Sequence, residues 1–212
     1  MQGGLPEVWC AGHELFGILM GRMFNALYDP LLFPLERLGL SSLRRQVVKE
    51  AGGRVLEIGI GTGLNLNHYD NIKTLDGIEP EQQLCDRAGS RKSSCGFDVR
   101  LQQGRAEELP FQDESFDSAV CTLVLCTVAD PLKALKEIRR VLKPNSQLHL
   151  LEHVRLSGCI GHLQDTIAPL WKHLFGGCRL NQDTRTMIDE SPLMLVHEEA
   201  HWKGLVMHWV AE

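Results

Sequence analysis

Residues 55–63, Val55-Leu56-Glu57-Ile58-Gly59-Ile60-Gly61-Thr62-Gly63, constrain this chain more than any other stretch. Val55 to Ile58 has the length and apolar character of a short buried strand. Three glycines at alternate positions follow at once. Glycine there lets the backbone turn sharply and lets a ligand come within contact distance of the main chain. From Leu64, through Leu66 and Tyr69, the pattern predicts the opening of a helix whose N-terminal N–H groups face the same crevice. Strand, glycine turn and helix start together make the nucleotide-binding corner of a doubly wound sheet. The dinucleotide fingerprint G-x-G-x-x-G is absent, because Leu64 and Leu66 stand where a third glycine would be required. Glu57, just before the first glycine, would repel a pyrophosphate and attract a ligand with a positive centre, an ammonium or a sulfonium.

The rest of the chain alternates strand and helix patterns. Thr74 to Glu79 reads as a second strand, ending in a carboxylate about twenty positions past the first, the spacing of a ribose-binding acid. Pro80 starts a polar helix over about 81–90, and 97–102 gives a third strand. Ser118 to Cys126 is an unbroken apolar run, which predicts a central strand covered on both faces. Asp130 and Pro131 fit the cap and first position of a helix. Its buried stripe is Leu132, Leu135, Ile138, Val141 and Leu142, and Lys143-Pro144 stops it. Gln147 to Val154 is the next strand. These repeats imply an α/β fold with a doubly wound, mostly parallel, seven-stranded sheet. A C-terminal antiparallel hairpin is expected to end at Leu205–Ala211.

One domain over 1–212 is expected, with an N-terminal helical part (1–52), a ligand-binding core (53–155) and a substrate-side helix with terminal strands (156–212). In the first part, Phe16, Leu19, Met20, Met23, Phe24 and Leu27 recur at helical spacing. Tyr28-Asp29-Pro30 is read as a break, with a second helix from about Leu35 to Glu50. These helices can pack on the sheet, close over the crevice as a lid that excludes water, or lie on a membrane surface as a peripheral contact. The third option lacks the Lys/Arg density such helices carry.

The net charge of −5 argues against a nucleic-acid partner. No run of about 18 apolar residues occurs, since Glu14, Arg22 and Asp29 interrupt the N-terminal one. With no secretory signal pattern, a cytoplasmic setting is expected. The 7 cysteines include no C-x-x-C pair, so neither a disulfide framework nor a metal site is expected, and most read as inert buried thiols. His197-Glu198-Glu199-Ala200-His201 matches H-E-x-x-H, a zinc-binding pattern when helical. On a strand, which the fold requires here, the two histidines stand about 13 Å apart at ~3.3 Å per residue, too far for one ion.

The pattern E-x-G-x-G-x-G at Glu57–Gly63 resembles the first motif of class I S-adenosylmethionine-dependent methyltransferases. Gly104–Phe111 with Ser115-Phe116-Asp117 is similar to their "GDAEELPF…SFD" segment, and Leu123–Val128, Glu137–Pro144 and Leu151–Val154 continue the likeness. Pro169–His173 and Gly177–Leu180 narrow it to bacterial relatives of the microsomal thiol methyltransferases, the methyltransferase-like seven group. The ubiquinone and phosphatidylethanolamine methyltransferases are more loosely similar. Arg105 replaces the usual Asp, leaving the backbone of Ala106 or the side chain of Glu107 for the adenine. Asp189–Leu193 replaces an expected "AGF" near the C-terminus.

The resemblance implies an enzyme that uses S-adenosylmethionine, releases S-adenosylhomocysteine and methylates a small-molecule acceptor, a thiol or sulfide first. A phospholipid or quinone-type acceptor is the alternative. A nicotinamide oxidoreductase and a non-catalytic module are weaker rivals, given Leu64, the intact glycine turn and Glu79. On this view Glu57, Gly59, Gly61, Gly63, Glu79, Ala106, Glu107 and Tyr28 hold the cofactor. Cys126, Thr127, Trp171 and His173 face the acceptor. His153, at the end of its strand and mostly neutral at its unperturbed pKa of ~6.5, takes the acceptor's proton or steadies its thiolate. Cys121 or Cys126 as a covalent nucleophile has no evident partner base.

Overall fold

The structure, a computed structural model, describes residues 27–212. The helix expected over 7–27 lies almost wholly outside the described residues. Seven strands form one sheet in the order β3-β2-β1-β4-β5-β7-β6. They are β1 (Gly53–Ile58), β2 (Ile72–Glu79), β3 (Asp98–Gln103), β4 (Phe116–Thr122), β5 (Leu142–His153), β6 (Leu195–His201) and β7 (Val206–Ala211). β1 to β5 pair in parallel, and β7 runs antiparallel to both β5 and β6. This is the doubly wound sheet with its terminal hairpin, and the zinc-like H-E-x-x-H stretch is strand, not helix.

The helices are α1 (Ser41–Lys49), α2 (Gln82–Lys92), α3 (Pro131–Val141), α4 (Gly158–Leu174) and α5 (Thr184–Glu190). Asp130 caps α3 as expected, its side chain accepting from the Lys133 N–H at 3.0 Å, and Pro131 opens the helix. α3 ends at Val141, one residue before β5 begins, so the strand starts earlier than Gln147 and runs through Lys143-Pro144. The core is continuous across β1, β4 and β5: Leu56, Ile58, Ala119, Cys121, Leu148 and Leu150 are all essentially sealed from solvent.

Three expectations change. Residues 27–35 are helical, so Tyr28-Asp29-Pro30 does not break the chain. Asp29 is instead recruited sideways, accepting from Thr62 at 2.6 Å and pairing with Arg87 and Arg91. The interruption comes later, in a π turn over Glu36–Leu40 where Gly39 adopts φ +122°. The segment after the glycine turn forms only a short 3-10 turn, Leu66–His68. Asn65 and Tyr69 flank this turn and both donate to Glu57 (2.9 Å each). Finally, β4 stops at Thr122, and the apolar residues 123–127 turn across the strand ends. Their apolarity reflects burial of a loop, with Leu125 and Cys126 nearly inaccessible.

Candidate active site

Parallel strands place their carboxyl ends on one edge, and ligands bind in the crevice there. That edge carries the glycine turn after β1, Glu79 at the end of β2, the 123–127 loop after β4 and His153 at the end of β5. Gly59, Gly61 and Gly63 all have positive φ, +61°, +57° and +80°. A Cβ on Gly59 would strike Val124 at 2.5 Å and one on Gly63 would strike Leu66 at 2.8 Å, whereas one on Gly61 would meet nothing nearer than 3.9 Å among the described residues. Gly61 is therefore the point where the backbone stands open to a ligand.

Glu79 anchors this turn. Its carboxylate accepts from the N–H groups of Gly61 (3.0 Å) and Glu81 (3.1 Å). Burial raises its pKa, and those two N–H groups oppose the rise. Glu57 sits deeper. Tyr69 and Asn65 donate to its two oxygens, and Asn65 in turn joins Thr122 (2.9 Å) and Arg44 (3.3 Å). Burial pushes the Glu57 carboxyl up to about 7 despite these donors and the charge of Arg44. The structure thus brings Glu57 under the glycine turn as the centre of a buried network.

Tyr28 reaches the same crevice from the N-terminal helical segment. Its phenol is pushed up to about 12, by burial first; Arg44 opposes the rise, and the nearby Cys126 and Glu79 add to it. One side chain therefore feels both the β2 end and the β4 loop. Ala106 is buried in the main core, and Arg105 is exposed, in contact with Glu107 at 3.4 Å. Glu107 accepts from the N–H groups of Ala129 (3.1 Å) and Asp130 (3.4 Å), fastening the β3–β4 connection to the start of α3.

The other half of the crevice is assembled from three segments. Glu152, sealed beneath it, accepts from Val124 N (2.8 Å), Leu125 N (2.9 Å) and the Cys121 thiol (3.8 Å). This bonding shapes the 123–127 loop, in which Leu123 takes φ +59°. Arg179, beyond α4, reaches back: its N–H donates to Cys126 O at 2.9 Å and its guanidinium to Val128 O. The segment between α4 and α5 is thereby sewn onto the β4 loop, and Cys178 is delivered beside His153.

His153 Nε2 lies 3.1 Å from Cys178 Sγ, and Cys126 Sγ lies 3.7 Å from it. The Cys178 thiol is lowered, first by the hydrogen bond from Cys126; burial opposes this, and His153 reinforces it. Burial alone would lower the His153 pKa, but its bond to Cys178 and the negative charges of Cys178 and Glu152 carry it above the usual value. The two shifts favour charge on both partners of the His153–Cys178 contact. The ligand atoms of Cys126, His153 and Cys178 all lie within 4.8 Å of one another, close enough to share a soft metal ion as well.

Trp171 stacks on Phe175 at 3.9 Å and faces this cluster. Thr127 lies at the exposed rim, its hydroxyl turned onto Val124 O at 2.8 Å. His173 is exposed and is not brought into the cluster. Cys178 and Glu152 are the residues sequence reasoning missed as functional. Cys178 lies inside the Gly177–Leu180 motif, which carries no local sign of its contact with His153. Glu152, adjacent to His153 at a strand end, offered the signal of a carboxylate in an apolar run.

The donors present fit S-adenosylmethionine: an open backbone at Gly61, a buried carboxylate at Glu79 beside it, and no free cation to attract a pyrophosphate among the residues just described. A family model described as a methyltransferase domain matches residues 56–150. The chain is 29% identical over 179 residues to a phosphatidylethanolamine N-methyltransferase of Cereibacter sphaeroides, covering 79% of this chain and 87% of that one. It is 30% identical over 167 residues to the human thiol S-methyltransferase TMT1B, covering 73% and 68%. A solved S-adenosylmethionine-dependent methyltransferase from Aquifex aeolicus shares the fold, with TM-score 0.63 at 16% identity over 90% of this chain and 97% of that one. Motif, sheet order and relatives agree, and the chain belongs to the class I S-adenosylmethionine-dependent methyltransferases.

Proposed function

We propose that this enzyme transfers the methyl group of S-adenosylmethionine to a small or lipophilic thiol. The observation that carries the reading is the setting of Cys178. In the half of the crevice opposite the glycine turn, the Cys178 sulfur lies 3.1 Å from His153 and 3.7 Å from Cys126, contacts that lower its pKa from the ordinary cysteine value. The same donors favour the anion of an acceptor thiol presented beside His153. Methyl transfer from a sulfonium is an in-line displacement, so the thiolate is the nucleophile and the site need only align it and keep water out. Positioning of that kind is worth up to ~7–11 kcal/mol.

In this reading Glu79 takes the ribose hydroxyls, and the glycine turn, with Glu57 beneath it, holds the methionine end. The backbone at Ala106, with Glu107, lies toward the adenine. Tyr28 closes the crevice between the cofactor and acceptor ends. The thiol's proton leaves to solvent once the anion is paired with His153. Beside Trp171, the exposed apolar residues Leu163, Ile167, Leu170 and Leu174 of α4 suit an acceptor with an apolar body. That stripe also supports a second reading, a phospholipid amine acceptor, in keeping with the likeness to the phosphatidylethanolamine enzyme.

Methyl-labelled cofactor offered with a panel of thiols, amines and phenols separates the two. Thioether products, with alkyl thiols favoured over polar ones, are expected. Methylated amines with no thioether from any thiol would overturn the thiol reading.

A further inference from the structure

The H-E-x-x-H stretch finds a different use once it is a strand. Side chains alternate along a strand, so His197, Glu199 and His201 share one face of β6. In the register of the sheet Glu199 lies opposite His208 of β7, and His149 of β5 and His197 of β6 both lie opposite Val210. Four histidines and a carboxylate therefore gather on the face of the β5-β7-β6 edge that α1 approaches. Glu50, just past the end of α1, meets them there: its Oε2 lies 3.5 Å from His149 Nδ1 without closing a hydrogen bond.

The centre of this cluster is buried and unsatisfied. His149 and His208 are each only 1% exposed. Among the described residues, His149 Nδ1 and both ring nitrogens of His208 have no hydrogen-bond partner. Buried polar groups in native proteins are nearly always paired, and an orphaned one points to a group that completes it. One ligand atom each from Glu50, His149 and His208 lie within 4.8 Å of one another, and the same holds for His197, Glu199 and His208. Two ligands at ~2.1 Å from a tetrahedral ion stand roughly 3.4 Å apart, a spacing that Glu50 and His149 already have. Imidazole nitrogens joined by a carboxylate oxygen suit zinc and its first-row neighbours over the hard cations.

We propose that His149, His208 and Glu50 hold a divalent transition-metal ion of the zinc class, with His197 and Glu199 in reach on its open side. The sequence led to the opposite expectation, because the helical zinc motif it contains cannot form on β6. The site lies apart from the methyl-transfer crevice, and its ion would tie the end of α1 to the antiparallel edge of the sheet. Such an ion is structural, so binding rather than turnover is the direct readout.

The test uses the full chain, stripped with a chelator and titrated with zinc chloride by calorimetry and with cobalt(II) in the visible range. One equivalent of either ion is expected, with a thermal midpoint that rises on zinc addition. The cobalt spectrum should lack a thiolate charge-transfer band, which separates this site from Cys126, His153 and Cys178. Glu50→Gln, at an exposed position, should fold normally and weaken zinc at least tenfold while leaving methyl transfer unchanged. His149→Leu should abolish binding, and Cys178→Ser should leave it intact. Absence of stoichiometric binding, a thiolate band, or unaltered affinity in folded Glu50→Gln and His149→Leu proteins would overturn the proposal.

Discussion

The two halves of the crevice are built in different ways. The half proposed to hold the cofactor draws chiefly on nearly contiguous chain: the turn after β1 and the end of β2, with the buried carboxylates Glu57 and Glu79 fixed by backbone N–H groups and close sequence neighbours. The half proposed to face the acceptor has no such locality. It needs the β4 loop, the end of β5 and the segment beyond α4, drawn together by Glu152 and Arg179 across long stretches of sequence. Backbone conformation dictates the first, and side-chain chemistry the second.

The largest effect expected from breaking the division is on turnover. His153→Ala should lower the rate on a thiol by about 10²–10⁴-fold, the range for a group that assists proton removal or steadies the resulting anion. Full thiol activity in the variant would remove His153 from the chemistry. A pH profile of the same reaction sharpens this: the pair with Cys178 raises the His153 pKa, so the imidazolium, and the activity that depends on it, should persist above the range of an ordinary histidine.

Next comes the place where the halves touch. Gly59 packs its open face on Val124, and Val124 belongs to the loop held by Glu152. Gly59→Ala combines a left-handed residue, costing about 1–2 kcal/mol, with overpacking against the loop, about 1–3 kcal/mol. Denaturant unfolding should show a loss of about 2–5 kcal/mol. Gly61→Ala carries the same left-handed cost of about 1–2 kcal/mol but, among the described residues, meets nothing nearer than 3.9 Å, so it should lose less stability than Gly59→Ala and weaken cofactor binding as well. Equal stability losses in the two would contradict the packing account.

The buried acids carry a pH signature. Burial raises Glu152 to about 7, and Glu57 likewise. Their folded pKa values lie above the unfolded ones, so the folded state holds these protons more tightly. Their unfavourable contribution is therefore absent below about 4.5, grows as pH rises through 4.5 to 7, and is complete above that. Each carries roughly 3 kcal/mol at most. Glu152→Gln keeps an acceptor for Val124 and Leu125 while removing the charge. It should gain stability relative to the parent as pH rises from 5 to 8, by thermal unfolding across that range. A constant difference across the range would refute the assignment.

Smaller again is the effect at the ribose. Glu79→Ala removes a carboxylate expected to accept two charge-assisted hydrogen bonds, each worth ~1.5–3 kcal/mol. At least a tenfold loss of cofactor affinity is expected, tempered by water taking its place.

The same division governs what could be read from sequence. The parallel sheet, the α3 cap at Asp130 and the glycine turn were legible because each follows from local rules of periodicity, capping and positive φ. The short 3-10 turn that stands where a helix was expected after Gly63, and the bonds of Asn65 and Tyr69 to Glu57, were not legible, because no local pattern reveals the burial of that carboxylate. The apolar run through Cys126 looked like strand because a buried loop and a buried strand share a composition. Cys178 could be placed only after the 175–183 segment was seen to fold back on the β4 loop. His173, two residues from Trp171, fell on the exposed side for the same reason: helical phase within α4 was invisible until its partners were known.

Calorimetric titration of S-adenosylhomocysteine into the parent, Glu79→Ala and His153→Ala proteins, with thiol turnover measured on the same samples, tests this division most directly. The account predicts that His153→Ala binds the product cofactor as the parent does while losing turnover, and that Glu79→Ala loses affinity at least tenfold. A His153→Ala protein that loses cofactor affinity as Glu79→Ala does, or a Glu79→Ala protein with parental affinity, would contradict it.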